Sequence, residues 1–169
     1  MRPSLRFALA GVLLLAALAT WRGVALSHCE IPCGIYGDRL RVELLLEDIA
    51  TVEKSMTQIE NSATNFQQKV RWVTNKETHA NKIQEVVTQY FMTQRVKPKA
   101  AGDDGTEKYL TQLTNLHAML VHAMKAKQTT DVQHCAKMRE HLHAFSKAYF
   151  SKEDLEHIEQ HRKGHDHKK

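Results

Sequence analysis

Apolar residues recur in alternating steps of three and four along this 169-residue chain. That spacing constrains the fold more than any other feature. Val42, Leu45, Ile49, Val52, Met56 and Ile59 make one such stripe. A stripe of that period lies on one face of an α-helix, and the face must find an apolar partner. Asp38 is a good N-cap for this helix, and the polar turn formers of 61–65 close it. Phe66, Val70, Val73, Ala80, Ile83, Val87 and Tyr90 continue at helical spacing. That helix should end at Lys97, because the residue before Pro98 is pushed away from α geometry. After a loop at 100–105, Thr106 can cap a third helix bearing Leu110, Leu113, Leu116, Leu120 and Met124. Thr129, Thr130 and Asp131 open a fourth, with Val132, Cys135, Met138, Leu142, Phe145 and Tyr149 on one face. Ser151 with Asp154 resembles a capping box for a short last helix. Four amphipathic helices with short loops bury their stripes most simply as an antiparallel four-helix bundle. The expected fold is all-α, with the bundle over 38–150 and a short helix and His-rich tail over 151–169. Seven glycines and three prolines are too few for a turn-rich β-sandwich.

Residues 1–27 read as a cleaved signal peptide. Arg2 and Arg6 precede the apolar run 7–20, and Ala25 and Ser27 put small residues at −3 and −1 of a cleavage site. The run is shorter than the roughly 20 apolar residues a spanning helix needs, and Arg22 interrupts it. The chain should therefore be exported to the periplasm or the cell exterior, and the mature chain should not be membrane-bound. The net charge of +5 comes partly from this leader. Without Arg2, Arg6 and Arg22, the excess of 24 basic over 19 acidic side chains shrinks by three. So small an excess gives no argument for nucleic acid binding.

Cleavage would expose His28 as the first residue of the segment 28–37, which opens His28, Cys29, Glu30, Ile31, Pro32, Cys33, Gly34, Ile35, Tyr36. Two cysteines stand four apart, outside any helix, behind a new amino terminus. Thiolates are soft ligands suited to late transition metals. The free α-amine and the His28 imidazole add nitrogen donors. Pro32 and Gly34 bend the backbone so that both sulfurs can face one ion. The spacing fits neither a C-x-x-C redox motif nor a C-x-x-C-H haem attachment site. Zinc usually takes four side-chain ligands, and only three are adjacent. The plain alternative in an exported protein is a disulfide between Cys29 and Cys33.

The pattern His-Cys-x-x-Pro-Cys-Gly-x-Tyr at a processed terminus resembles the metal hook of nickel superoxide dismutase. The match covers all nine residues, and the helical remainder is compatible with that family's four-helix subunit and homohexameric assembly. A disulfide would explain neither the leading His28 nor the Pro-Cys-Gly-x-Tyr continuation. The resemblance implies nickel (Ni2+/Ni3+) as cofactor, one ion per subunit, and superoxide as substrate. The metal ligands it implies are His28, through its α-amine and axial imidazole, Cys29, through its amide nitrogen and thiolate, and Cys33, through its thiolate. Tyr36 would gate the substrate, Glu43 would orient the His28 imidazole, and Glu30 would order the hook by local hydrogen bonds. The catalytic set is therefore Tyr36, Glu43 and His28. Family members place an arginine behind that glutamate; His79 stands nearest to that position here. Tyr90 would match a second family tyrosine that supports Tyr36.

Other features read more plainly. Cys135 should be a free buried cysteine, and His117 a satisfied interior histidine. His141 and His143 are two apart, so a helix points them to different faces. His157 and His161 are i, i+4 neighbours, and with His165 and His167 make a tail that could gather nickel weakly. A second functional reading follows from hook and tail together: an exported, non-enzymatic helical protein that binds nickel or copper. It predicts stoichiometric metal uptake without turnover.

Overall fold

The computed structural model describes residues 37–61 and 65–156. Among these the chain is all-helical: α1 (Asp38–Asn61), α2 (Phe66–Glu85) running on as a π-helical segment (Val86–Arg95), α3 (Thr106–Gln128) and α4 (Gln133–Tyr149). Residues 152–156 add a short helical turn. α1 packs chiefly on α2 and α3 chiefly on α4, while α2 touches α3 and α1 touches α4. Short connections make successive helices antiparallel, so the four-helix bundle read from the sequence is the fold observed. No helix among the described residues is long and apolar enough to cross a membrane.

The α1 stripe is buried as expected, from Val42 to Ile59. In α4, Cys135, Met138, Leu142 and Phe145 are buried, whereas Val132 is 41% exposed. α2 departs further. Its second half buries Ala80, Ile83, Val87 and Tyr90, but Phe66, Val70 and Val73 project outward. The interior position on that stretch goes to Lys76, which is buried. Its Nζ donates to the carbonyls of Ala126, Lys127 and Thr129 at 2.9, 2.7 and 3.1 Å. A helix C-terminus leaves such carbonyls without partners, so a charge from α2 closes the end of α3.

α3 is rotated relative to its leucine stripe. It buries Gln112, Leu116, Met119, Ala123 and Ala126, while Leu110 and Met124 are exposed. The small Ala123 and Ala126 let the helix approach its neighbours more closely than leucines would. That rotation corrects one expectation: His117 is exposed, not interior. Cys135 is a free, buried thiol with Sγ 3.9 Å from Met56 Sδ. Burial pushes it up to about 12, which keeps it unreactive.

Caps follow the sequence in part. Asn65 accepts from Gln68 N at 3.1 Å, and Asp131 from Gln133 N at 2.9 Å. Ser151 Oγ accepts from Asp154 N at 3.2 Å and donates to its carboxylate at 2.9 Å, the capping box read from those two residues. Thr106 is the first residue of α3 rather than its cap, and Gly105 precedes it at φ +83°. Asp38 does not act as a simple cap either; its carboxylate turns to other helices.

Phe91 is the hub of the core at one end of the bundle. It meets Tyr90, Phe145 and Tyr149 edge-on at centroid separations of 5.1, 4.9 and 5.8 Å. Adjacent residues on an α-helix point about 100° apart, yet Tyr90 and Phe91 are both buried. The π-helical stretch accommodates this, closing with Val96 N donating to Phe91 O at 2.8 Å, five residues back. Such insertions are rare and frequent at functional sites.

Candidate metal centre

The described chain begins at Gly37, at φ +79°, a backbone conformation that favours glycine. His28, Cys29, Glu30, Cys33 and Tyr36 lie outside the described residues, as do His157, His161, His165 and His167. What the structure shows is the platform at the start of α1 from which that segment departs.

Asp38 organises that platform. Its Oδ2 accepts from Arg95 Nη2 at 2.8 Å, Arg95 Nε at 3.2 Å and Tyr149 OH at 2.6 Å. Its Oδ1 accepts from Tyr90 OH at 2.5 Å. Three side chains from two other segments of the bundle thus converge on one α1 carboxylate two residues beyond Tyr36. Burial pushes the Asp38 carboxyl up, but the bonds from Tyr149, Tyr90 and Arg95 outweigh burial and hold it below the usual range. The phenols respond in the opposite sense. Burial, and then the Asp38 charge, push Tyr90 and Tyr149 each up to about 12. Both hydroxyls therefore stay protonated as donors at neutral pH. The hydrogen bond to Asp38 raises the Arg95 guanidinium above its ordinary value, and Arg41 lies 4.9 Å over the Tyr90 ring.

Tyr90, singled out in the sequence, is thus buried at the hook end of the bundle. Arg95, Tyr149 and the tertiary role of Asp38 were not legible. Nothing in the spacing of residues 52 to 111 apart announces a shared bond. The one available signal is that Arg95 falls just where the second helix should stop.

Glu43 is half-buried on α1. His79 is half-buried on α2, and its Nδ1 lies 2.6 Å from Asp48 Oδ1. No hydrogen bond joins His79 to Glu43 among the described residues. The contact that would make His79 the partner behind Glu43 is therefore replaced by one to Asp48, a little over one turn further along α1. His79 and Asp48 line an open groove of about 540 Å³ that reaches Arg41, Lys82 and Tyr90.

Among the described residues, no group of three or more His, Cys, Asp or Glu could hold a metal ion. The donors able to do so at this end of the chain are those preceding Gly37. The thiols and imidazole of that sequence are a soft, mixed nitrogen and sulfur set, which fits a late transition metal and not magnesium or calcium.

No curated protein and no solved structure matches the chain. One family model, described as nickel-containing superoxide dismutase, matches residues 23–153. That stretch takes in the His28 to Tyr36 segment, the Asp38 platform and all four helices. The match covers well over half of the sequence, and with it the chain belongs to the nickel-containing superoxide dismutase family.

Proposed function

We propose that this protein is an exported nickel-dependent superoxide dismutase whose hook is His28, Cys29 and Cys33. Two superoxide anions and two protons would become one O2 and one H2O2. The observation that carries this reading is a single family match spanning both the hook sequence and the bundle.

The α-amine and imidazole of His28, the amide nitrogen and thiolate of Cys29 and the thiolate of Cys33 would hold nickel. Bound nickel supplies one-electron exchange, because anionic thiolate and amide donors bring its two oxidation states within reach of superoxide. Tyr36 would donate a hydrogen bond to the incoming anion. Glu43 would hold the ring N–H of His28, the partner expected behind a metal-bound histidine. Asp38, tied to Tyr90, Tyr149 and Arg95, fixes the start of α1. A homohexamer would shelter a hook too short to build a pocket alone.

The test is superoxide dismutation by a chain beginning at His28, with and without one equivalent of nickel. A control carries one extra residue before His28, which converts the α-amine into an amide. Nickel-dependent turnover that the control loses is the expected result. Nickel binding without turnover would favour the sequestration reading. Absence of nickel binding would overturn both and return Cys29 and Cys33 to a disulfide.

A further inference from the structure

At the opposite end of the bundle from Asp38, three histidines meet beside the turn joining α3 to α4. His122 Nδ1 lies 3.2 Å from His134 Nδ1, with ring centroids 5.4 Å apart. His141 stacks on His122, centroids 5.7 Å apart and planes inclined by 24°. All three are half-buried. His134 precedes Tyr149 by fifteen residues, or about 22 Å along the helix axis. The cluster is therefore remote from the platform that carries the hook.

The rings are held in place from both helices. Asn115 Nδ2 donates to Thr111 O at 2.8 Å, which leaves its Oδ1 for His141 Nδ1 at 3.0 Å. An amide oxygen only accepts, so His141 carries its proton on Nδ1. That bond fixes the ring against which His122 rests. His122 and His134 face each other through Nδ1, an arrangement in which one neutral ring must donate to the other.

The same separation suits a metal. Two metal–nitrogen bonds of about 2.0–2.1 Å meeting near the tetrahedral angle hold their nitrogens about 3.3 Å apart. The helices hold the two nitrogens at nearly this spacing without any ion. Lys125 and Lys137 stand near enough to act on His122, and Lys137 is paired with Glu140 at 2.7 Å. Charge alone would not draw a cation here, so the ligand must be one that prefers nitrogen donors. Those are the borderline divalent transition ions, zinc, nickel and copper(II).

We propose that His122 and His134 form a second metal site, a two-imidazole clasp for a borderline divalent cation that ties α3 to α4. No third side chain of metal-binding type completes the site among the described residues. His141 is a positioning residue. The proposal is independent of the hook and of superoxide chemistry.

Zinc alone is the probe, added to the full chain carrying Cys29→Ser and Cys33→Ser so that the hook thiols cannot compete. Because the clasp joins two helices, zinc should raise the Tm by several degrees. The rise should vanish with His122→Asn and with His134→Asn. It should persist with His143→Asn, exposed on the same helix, and with His157→Asn plus His161→Asn in the tail. A rise that survives His122→Asn or His134→Asn, or no rise at all, overturns the clasp. Should either variant fail to fold, the ring NMR signals of His122 and His134 in the cysteine-substituted chain decide. They must shift together on zinc addition, and unmoved signals reject the site.

Discussion

At the scale of single residues, the sharpest consequences lie around Asp38 and Tyr36. Asp38→Asn removes the charge that two phenols and a guanidinium share. Hydrogen bonds to a charged group contribute about 1.5–3 kcal/mol each when a partner is lost. The three share one acceptor and are not additive, so a loss of about 2–3 kcal/mol in urea denaturation at pH 7 is expected. The pH dependence has a definite sign. The folded carboxyl is held below its ordinary value, so its contribution is complete above about pH 4 and lost as pH falls through the folded value. The gap between wild type and Asp38→Asn should therefore close in acid. Tyr90 and Tyr149 work in the other direction. Their phenols rise to about 12 when folded, so stability falls as pH climbs from about 10 towards 12. An ultraviolet titration should show two tyrosines ionising near pH 12, and the Asp38→Asn variant should lower both. Tyr36→Phe addresses the proposed chemistry. It should leave nickel binding intact and lower turnover, read by titration and by pulse radiolysis; unaltered kinetics would remove Tyr36 from the mechanism.

At the scale of elements, legibility depended on which force decided each face. α1 was readable because its stripe is uniform and its whole inward face is large and apolar. α3 was not, because Ala123 and Ala126 compete with leucines for the interior and close approach favours the small side chains. The first half of α2 misled for a different reason. Lys76 takes the interior place that hydrophobicity assigned to its neighbours, since it alone can satisfy three carbonyls at the end of α3. The π-helical stretch left no periodic trace, because it changes register within a helix that otherwise reads as continuous. Lys76→Met keeps the unbranched stem of the side chain but removes its ammonium and its donors. It should lower stability by about 2–3 kcal/mol, since buried carbonyls lose their bonds. Amide hydrogen exchange should quicken in the last turn of α3 and leave the first turns unchanged. Uniform quickening along α3 would mean that Lys76 supports the core rather than that helix end.

At the scale of the whole molecule, fold class and family were legible from two separate signals. Helical periodicity specified the bundle, and nine residues near the amino terminus pointed to the family. Neither signal implied how the two are joined, because the joint is tertiary. The proposed activity also depends on where the chain is cut. If the leader is removed as proposed, mass spectrometry of the mature protein should find His28 as its first residue. A chain still beginning at Met1 should bind nickel far more weakly, lacking the His28 α-amine; equal affinity would mean that the terminus is not a ligand.

The Asp38 bonds reach partners 52, 57 and 111 positions away along the chain. Every one of them is non-local: those from Tyr90 and Arg95 wait for α1 to meet the end of the second helix, and that from Tyr149 waits for α1 to meet α4. This anchor is consequently an ordering in time as well as in space. The full set of bonds at the base of α1 is complete only as the bundle closes. Under the proposed function, metal capture by the residues ahead of α1 would then follow the closing of the bundle rather than precede it.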